Sequence, residues 1–171
     1  IVRTAALRAV GNIATGENDQ TEVIMDAQIL DAVPALLSDA KVGIRKEACW
    51  MLSNIMAGTT SHVQAVIDSS LLSILLTMLH EDNDQAVLKE ICFCLTNPCS
   101  NVDHTVVHKL VELGCLDAIL AVICNDGLTF RAQLLSACLT AIQAALETPS
   151  VMGETTSIKM RFLDMSWNVN L

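Results

Sequence analysis

The chain has 171 residues, and 52% of them are hydrophobic, yet only 3% are aromatic and tyrosine is absent. Such a core is built from Leu, Ile, Val, Ala, Met and Cys, which suits close packing of helix on helix. Lys+Arg number 10 against 19 Asp+Glu, a net charge of −9, and this balance argues against nucleic acid, whose phosphates demand the opposite sign. A cationic partner is favoured, with salt-sensitive association. No apolar run reaches the length of a membrane span.

The first predicted helix covers residues 2 to 14 and stops at Thr15-Gly16. A second unit follows. It has a short helix over Thr21 to Ala27 with Val23 and Ile24 turned inward, and a core-facing helix over Ile29 to Leu37. After a turn comes a third helix, Ile44 to Ala57, ended by Gly58. The third unit repeats the plan: Thr60 to Asp68, an N-cap at Ser69-Ser70, Leu71 to His80, an acidic turn over Glu81 to Asp84, and Gln85 to Asn97. A fourth runs through Thr105 to Leu113, then Gly114 into a helix up to Ile123, a turn at Asn125-Asp126-Gly127, and a last helix over Thr129 to Leu146. Thr148-Pro149-Ser150 breaks that helix, and the remainder shows neither period nor apolar stripe. The expected organisation is a repeat array over 1–147 and an irregular tail over 148–171; a disordered or irrelevant tail is favoured over one whose Phe162 and Trp167 cap the last repeat.

Within the array one stretch recurs. In Glu47-Ala48-Cys49-Trp50-Met51-Leu52-Ser53-Asn54, wound at about 100° per residue, Ala48, Met51, Leu52 and Ile55 form an apolar stripe. Glu47, Trp50 and Asn54 share a second face about 115° away. The same frame holds Arg8 and Asn12 forty-two residues upstream, and Glu90, Phe93 and Asn97 forty-three residues downstream. One period further it lands on Ser136 and Thr140, where ring and amide are gone. A period of 42 to 43 residues is that of a helical solenoid. Three-helix units of this kind stack into a superhelix, whose third helices line the inner face, so the recurring residues form a ladder.

The ladder has a chemistry. Stacked helices lie about 8 to 10 Å apart and an extended peptide advances about 3.3 Å per residue, so one unit matches about three ligand residues. Asparagine both donates and accepts, and can hold a peptide N–H and C=O together. A tryptophan one turn earlier walls the stem of Lys or Arg and attracts its cation, while Glu47 and Glu90 supply the opposite charge. Arg8 is expected to form an ion pair with Glu47 of the next unit. Pro98 disfavours helical geometry at Asn97, which puts the third amide in doubt, and Phe93 offers a weaker wall than tryptophan.

Other chemistry is poorly represented. The seven cysteines sit at apolar helical positions or near a helix end and read as small reduced core residues, implying a cytosolic or nuclear setting. Cys92, Cys94, Cys99, His104 and His108 lack a CxxC pair, and Cys92 and Cys94 diverge by about 200° on a helix, so zinc is not expected. His62, His80, His104 and His108 are expected at exposed loop or helix-end positions without a paired nucleophile. No phosphate-binding glycine loop or acidic dyad is present, and the chain reads as no enzyme, without cofactor.

Several runs carry a resemblance: Ala9-Val10-Gly11-Asn12-Ile13 with Thr15-Gly16, Ile44 to Trp50 with Ser53-Asn54-Ile55 and Ala57-Gly58, and Val63 to Asp68. Leu110-Val111-Glu112-Leu113-Gly114-Cys115 adds a further segment. They resemble the armadillo repeats of the importin-α family, well over residues 1–125 and loosely over 126–147. The resemblance implies an all-α, right-handed solenoid of about four armadillo repeats, the first incomplete. It implies a nuclear import adaptor that binds lysine- and arginine-rich nuclear localisation signals at the family's minor site and moves between cytoplasm and nucleus. The implied signal-binding residues are Arg8, Asn12, Thr15, Glu47, Trp50, Asn54, Glu90, Phe93 and Asn97. Importin-β would bind through an N-terminal arm that this stretch lacks; beginning at Ile1 inside a repeat, the chain reads as a fragment. Two alternatives stay open: a structural armadillo scaffold of the catenin type, against which the acidic charge and the Trp/Asn ladder speak, and a degenerate, non-binding remnant.

Overall fold

The computed structural model describes residues 2–100, 104–123 and, further on, 136, 137, 139–141 and 143. The expected turn at 125–127, most of the helix over 129–146, Cys124, Cys138 and the tail over 148–171 lie outside the described residues. Among the described residues of 2–123 there are nine α-helices: α1 (Val2–Ala14), α2 (Asn18–Asp26), α3 (Ile29–Leu37), α4 (Val42–Met56), α5 (Thr60–Asp68), α6 (Leu71–Glu81), α7 (Gln85–Thr96), α8 (His104–Glu112) and α9 (Cys115–Ile123). A 3-10 turn at Asn97–Ser100 continues α7. Among the described residues no strand occurs and no single helix is long and apolar enough to cross a membrane.

The helices stack in rows. The third helices α1, α4 and α7 pack side by side with α4 in the middle, and the second helices α3, α6 and α9 form a parallel row. α4 supplies the centre of the core: Ala48, Cys49, Met51, Leu52, Ile55 and Met56 are all fully buried. So are Val63 and Val66 of α5, Leu75 of α6, and Val87, Ile91, Cys92 and Cys94 of α7. An apolar stripe repeated in every unit can be buried only against its neighbours, which is why the elements align into an array and not into a closed globule.

Two expectations change. Val23 is 66% exposed while Ile24 is buried. α2 starts three residues before the expected Thr21, with Gln20 accepting the Glu17 N–H at 3.2 Å, and its phase is set by Thr21 and Ile24, so Val23 turns outward. His62, expected exposed, is 2% exposed. Its Nδ1 accepts the Thr59 N–H at 3.3 Å, and Thr59 Oγ1 accepts the His62 N–H at 3.3 Å, a reciprocal cap on α5. With Nδ1 accepting, Nε2 carries the ring proton and meets Glu22 Oε2 at 2.7 Å, tying the second unit to the third.

The junction before the second helix is left-handed in the second and fourth units and not in the third, where Ser70 precedes α6 at φ −79°. Gly114 precedes α9 at φ 80°, and Gln28 precedes α3 at φ 58° in the same frame. A side chain in this left-handed region costs about 1–2 kcal/mol, whereas glycine tolerates it. Part of the relief is lost to the extra freedom of glycine in the unfolded chain. Gln28→Gly is therefore expected to stabilise by up to about 1 kcal/mol, and Gln28→Val to destabilise, both read by denaturant unfolding.

Candidate functional site

In the candidate site, Arg8 and Asn12 sit on α1, Glu47, Trp50 and Asn54 on α4, and Glu90 and Phe93 on α7, while Thr15 follows α1 and Asn97 opens the 3-10 turn after α7. The amides define its geometry. Asn54 Nδ2 donates to the backbone carbonyl of Gly11 at 3.2 Å, and Asn97 Nδ2 donates to that of Ser53 at 3.0 Å. Gly11 and Ser53 occupy equivalent frames, each one residue before the ladder asparagine of its own helix. Each asparagine thus reaches back to the same backbone position in the preceding unit. A carbonyl can only accept, so Nδ2 must face it; Oδ1 and the second N–H of Nδ2 are left for another partner. Asn12, on the first described third helix, is exposed, and its carbonyl accepts from Thr15 Oγ1 at 2.7 Å.

The expected misaiming of Asn97 is not found. Its backbone is helical (φ −55°, ψ −41°) despite Pro98, because the chain tightens into a 3-10 turn there and buries Pro98. The third amide is in register with the second.

Trp50 is half-buried, and its ring packs against Gly11. A Cβ built on Gly11 would stand 2.7 Å from Cε3 and 3.3 Å from Cη2 of that ring, and nearer still to Cζ3. The absence of a side chain at Gly11 is what lets the ring fit between α1 and α4. Phe93 is likewise half-buried, with the Lys89 ammonium 5.8 Å from its ring centroid.

The carboxylates differ, and one expectation needs correction. Glu47 is 4% exposed and not an open counter-charge. Both of its oxygens accept from Arg8, Oε2 from Nε at 3.2 Å and Oε1 from Nη2, and Lys46 Nζ stands 3.8 Å from Oε1. The Arg8–Glu47 pair expected from the repeat frame is present. The Arg8 hydrogen bonds, against the opposing effect of burial, hold the Glu47 carboxyl below its ordinary value. Glu90 has the same frame, but Trp50 stands where Glu47 has Arg8. Half-buried, Glu90 is pushed above the usual carboxylate range by burial, with Lys46 and Lys89 pulling the other way and Glu47 adding to the rise.

A second ion pair repeats with the units, at the start of the third helix. Arg3 meets Asp39 at 3.1 Å, and Arg45, in the same frame, meets Asp82 at 2.7 and 3.2 Å. A groove of about 800 Å³ along α3 and α6 is walled by this Arg45–Asp82 pair, whose charges answer each other. A smaller depression of about 250 Å³ is lined by Thr15, Asn54, Ala57 and Gly58 at the end of the ladder. Burial disfavours the thiolate at three cysteines, pushing Cys49 and Cys115 up to about 12 and Cys99 up to about 11. His62 was read as exposed, and the roles of Gly11 and of the Arg45–Asp82 pair went unread in the sequence; the repeat of arginine at positions 3 and 45 was the signal for the last.

Residues 17–57 match the family model of the Armadillo/beta-catenin-like repeat. Over 68 residues the chain is 48% identical to importin subunit alpha-1a of Oryza sativa subsp. japonica, covering 39% of this chain and 13% of that protein. Over 160 residues it is 31% identical to importin subunit alpha-4 of Arabidopsis thaliana, covering 91% of this chain and 29% of that protein. A designed armadillo repeat protein in complex with the peptide (KR)4 superimposes with a TM-score of 0.76 at 27% identity, over 92% of this chain and 62% of that one. The chain is an α-solenoid of armadillo repeats similar to those of importin-α subunits, and it spans less than a third of the length of these natural relatives.

Gly11→Ala gains about 1 kcal/mol of helix propensity but collides with the Trp50 ring, an overpacking cost of about 1–3 kcal/mol. It is expected to destabilise in the native chain and to stabilise in a Trp50→Ala background, a reversal of sign read by urea unfolding of the four variants. Because the Glu47 pKa is depressed in the folded state, the pair's contribution is present above the unfolded carboxylate pKa and is lost as pH falls through the folded value. Thermal melts of wild type and Arg8→Ala should differ most at neutral pH and converge below the ordinary carboxylate range.

Proposed function

We propose that this chain is the signal-binding portion of a nuclear import adaptor, holding an extended lysine- and arginine-rich peptide along the third-helix face. The observation that carries this reading is the register of the amides: Asn54 and Asn97 make the same bond to the preceding unit. Each therefore offers a donor and an acceptor to a passing backbone at one-unit intervals. Two such clamps fix the path of an extended main chain without reading its side chains.

The side chains of the ligand meet the rings and the carboxylate. Trp50 and Phe93 stand on successive units, and Glu90 is the ladder carboxylate to which the structure gives no ion pair among the described residues. Its half-burial makes its charge costly alone and strengthens its attraction for an arriving cation. A Lys or Arg between the rings gains stacking and charge together. Thr15 and Asn12 extend the surface past α1. The likeness to importin-α subunits and to a designed repeat protein whose partner is (KR)4 supports the same ligand class. Handover to importin-β, passage between cytoplasm and nucleus, and the absence of catalysis belong to this reading. A scaffold for acidic partners is disfavoured by the ladder itself, since Arg8 is already engaged by Glu47.

The test is binding of a labelled Lys/Arg-rich peptide to wild type and to the Trp50→Ala, Asn54→Ala double variant, at low and physiological salt. Loss of the ring contact and the clamp is expected to weaken binding by about 2–3 kcal/mol, with circular dichroism confirming the fold. Equal affinities that fade together as salt rises would leave only diffuse charge attraction and end this reading.

A further inference from the structure

We infer that Lys89 is a built-in occupant of the cation position on the Phe93 ring, and that it makes this rung the less selective of the two for a basic ligand residue. The inference rests on the peptide-binding reading above. Lys89 and Phe93 stand four residues apart on α7, on one helix face, and the Lys89 ammonium is 5.8 Å from the ring centroid, within cation–π range. Lys89 also lies beside Glu90 in sequence and is one of the two cations whose field reaches that carboxylate.

The preceding unit is the internal control. Lys46 has the same frame relative to Trp50, but its ammonium stands 3.8 Å from Glu47 Oε1. The cation that could cover Trp50 is drawn instead toward a carboxylate already fixed by Arg8, so the Phe93 ring carries the lysine of its own helix and the Trp50 ring does not. An incoming Lys or Arg at Phe93 must displace Lys89 or sit beside it, and in either case it meets a like charge. At Trp50 it meets none over the ring. A neutral ligand residue is therefore tolerated better at the Phe93 rung than at the Trp50 rung.

The experiment compares a Lys/Arg-rich peptide on wild type, Lys89→Gln, Lys89→Arg, Phe93→Leu and the Lys89→Gln, Phe93→Leu double variant. Lys89→Gln is expected to tighten binding about two- to fivefold, and Lys89→Arg to leave it unchanged. In the Phe93→Leu background the gain from Lys89→Gln should shrink at least about twofold, because only the loss of one positive charge remains. In the free protein, the ε-methylene protons of Lys89 should show a ring-current shift that Phe93→Leu abolishes. If wild type binds and Lys89→Gln binds no tighter, or gains equally in both backgrounds, the role of Lys89 is refuted and the ladder stands. If no variant binds the peptide, the ladder fails and this inference with it.

Discussion

The site depends on how closely one third helix approaches the next. α4 lies against α1 so tightly that a tryptophan ring rests on the bare backbone at Gly11 and an asparagine amide reaches the carbonyl of that same residue. Any side chain at Gly11 would hold the helices apart, lift the ring and lengthen the amide bond together. The apolar stripe of α4 brings the helices together through Met51, Leu52 and Ile55, and the amide bond then fixes where along the helix they meet. Hydrophobic burial sets the distance and the asparagine sets the register. Because Asn97 repeats the bond on Ser53, the register propagates from unit to unit.

This gives the ladder asparagines two roles at once. A late-helix asparagine is ordinarily a structural hydrogen-bonder, and Asn54 and Asn97 are both such. The amide has more hydrogen-bonding capacity than one carbonyl consumes, so holding the helices together also aims the remaining donor and acceptor. A glutamine would reach the carbonyl only with a further rotatable bond and lose that aim; an aspartate could not donate at all.

The sequence made the repeat legible because its signals were periodic. α1, α3 and α5 begin and end where the apolar spacing and the stop residues place them, and the Arg8–Glu47 pair follows from matching frames alone. Non-periodic features were not legible. The burial of His62 depends on Glu22, forty residues away and on another helix, and no local pattern of α5 announces it. Val23 was misplaced because the start of α2 is set by Glu17 and Gln20, polar residues that a search for apolar spacing overlooks. The local rule that proline disfavours a helical predecessor was overridden at Asn97, where burial of Pro98 and the amide bond to Ser53 outweigh it.

Charge on the ladder follows from one alternation. At the position that precedes each asparagine by one turn, α1 carries arginine and α4 carries tryptophan. The arginine reaches the glutamate of the following unit, so Glu47 is ion-paired and buried. The tryptophan has no charge to give, so Glu90, in the same frame one unit on, is given no arginine partner and burial raises its pKa. Replacing a cation by a ring therefore does two things: it creates an aromatic wall on one helix and releases a carboxylate on the next. In the proposed reading the two halves of a cation-binding pocket come from one position in the repeat, and a repeat that kept arginine there would provide neither.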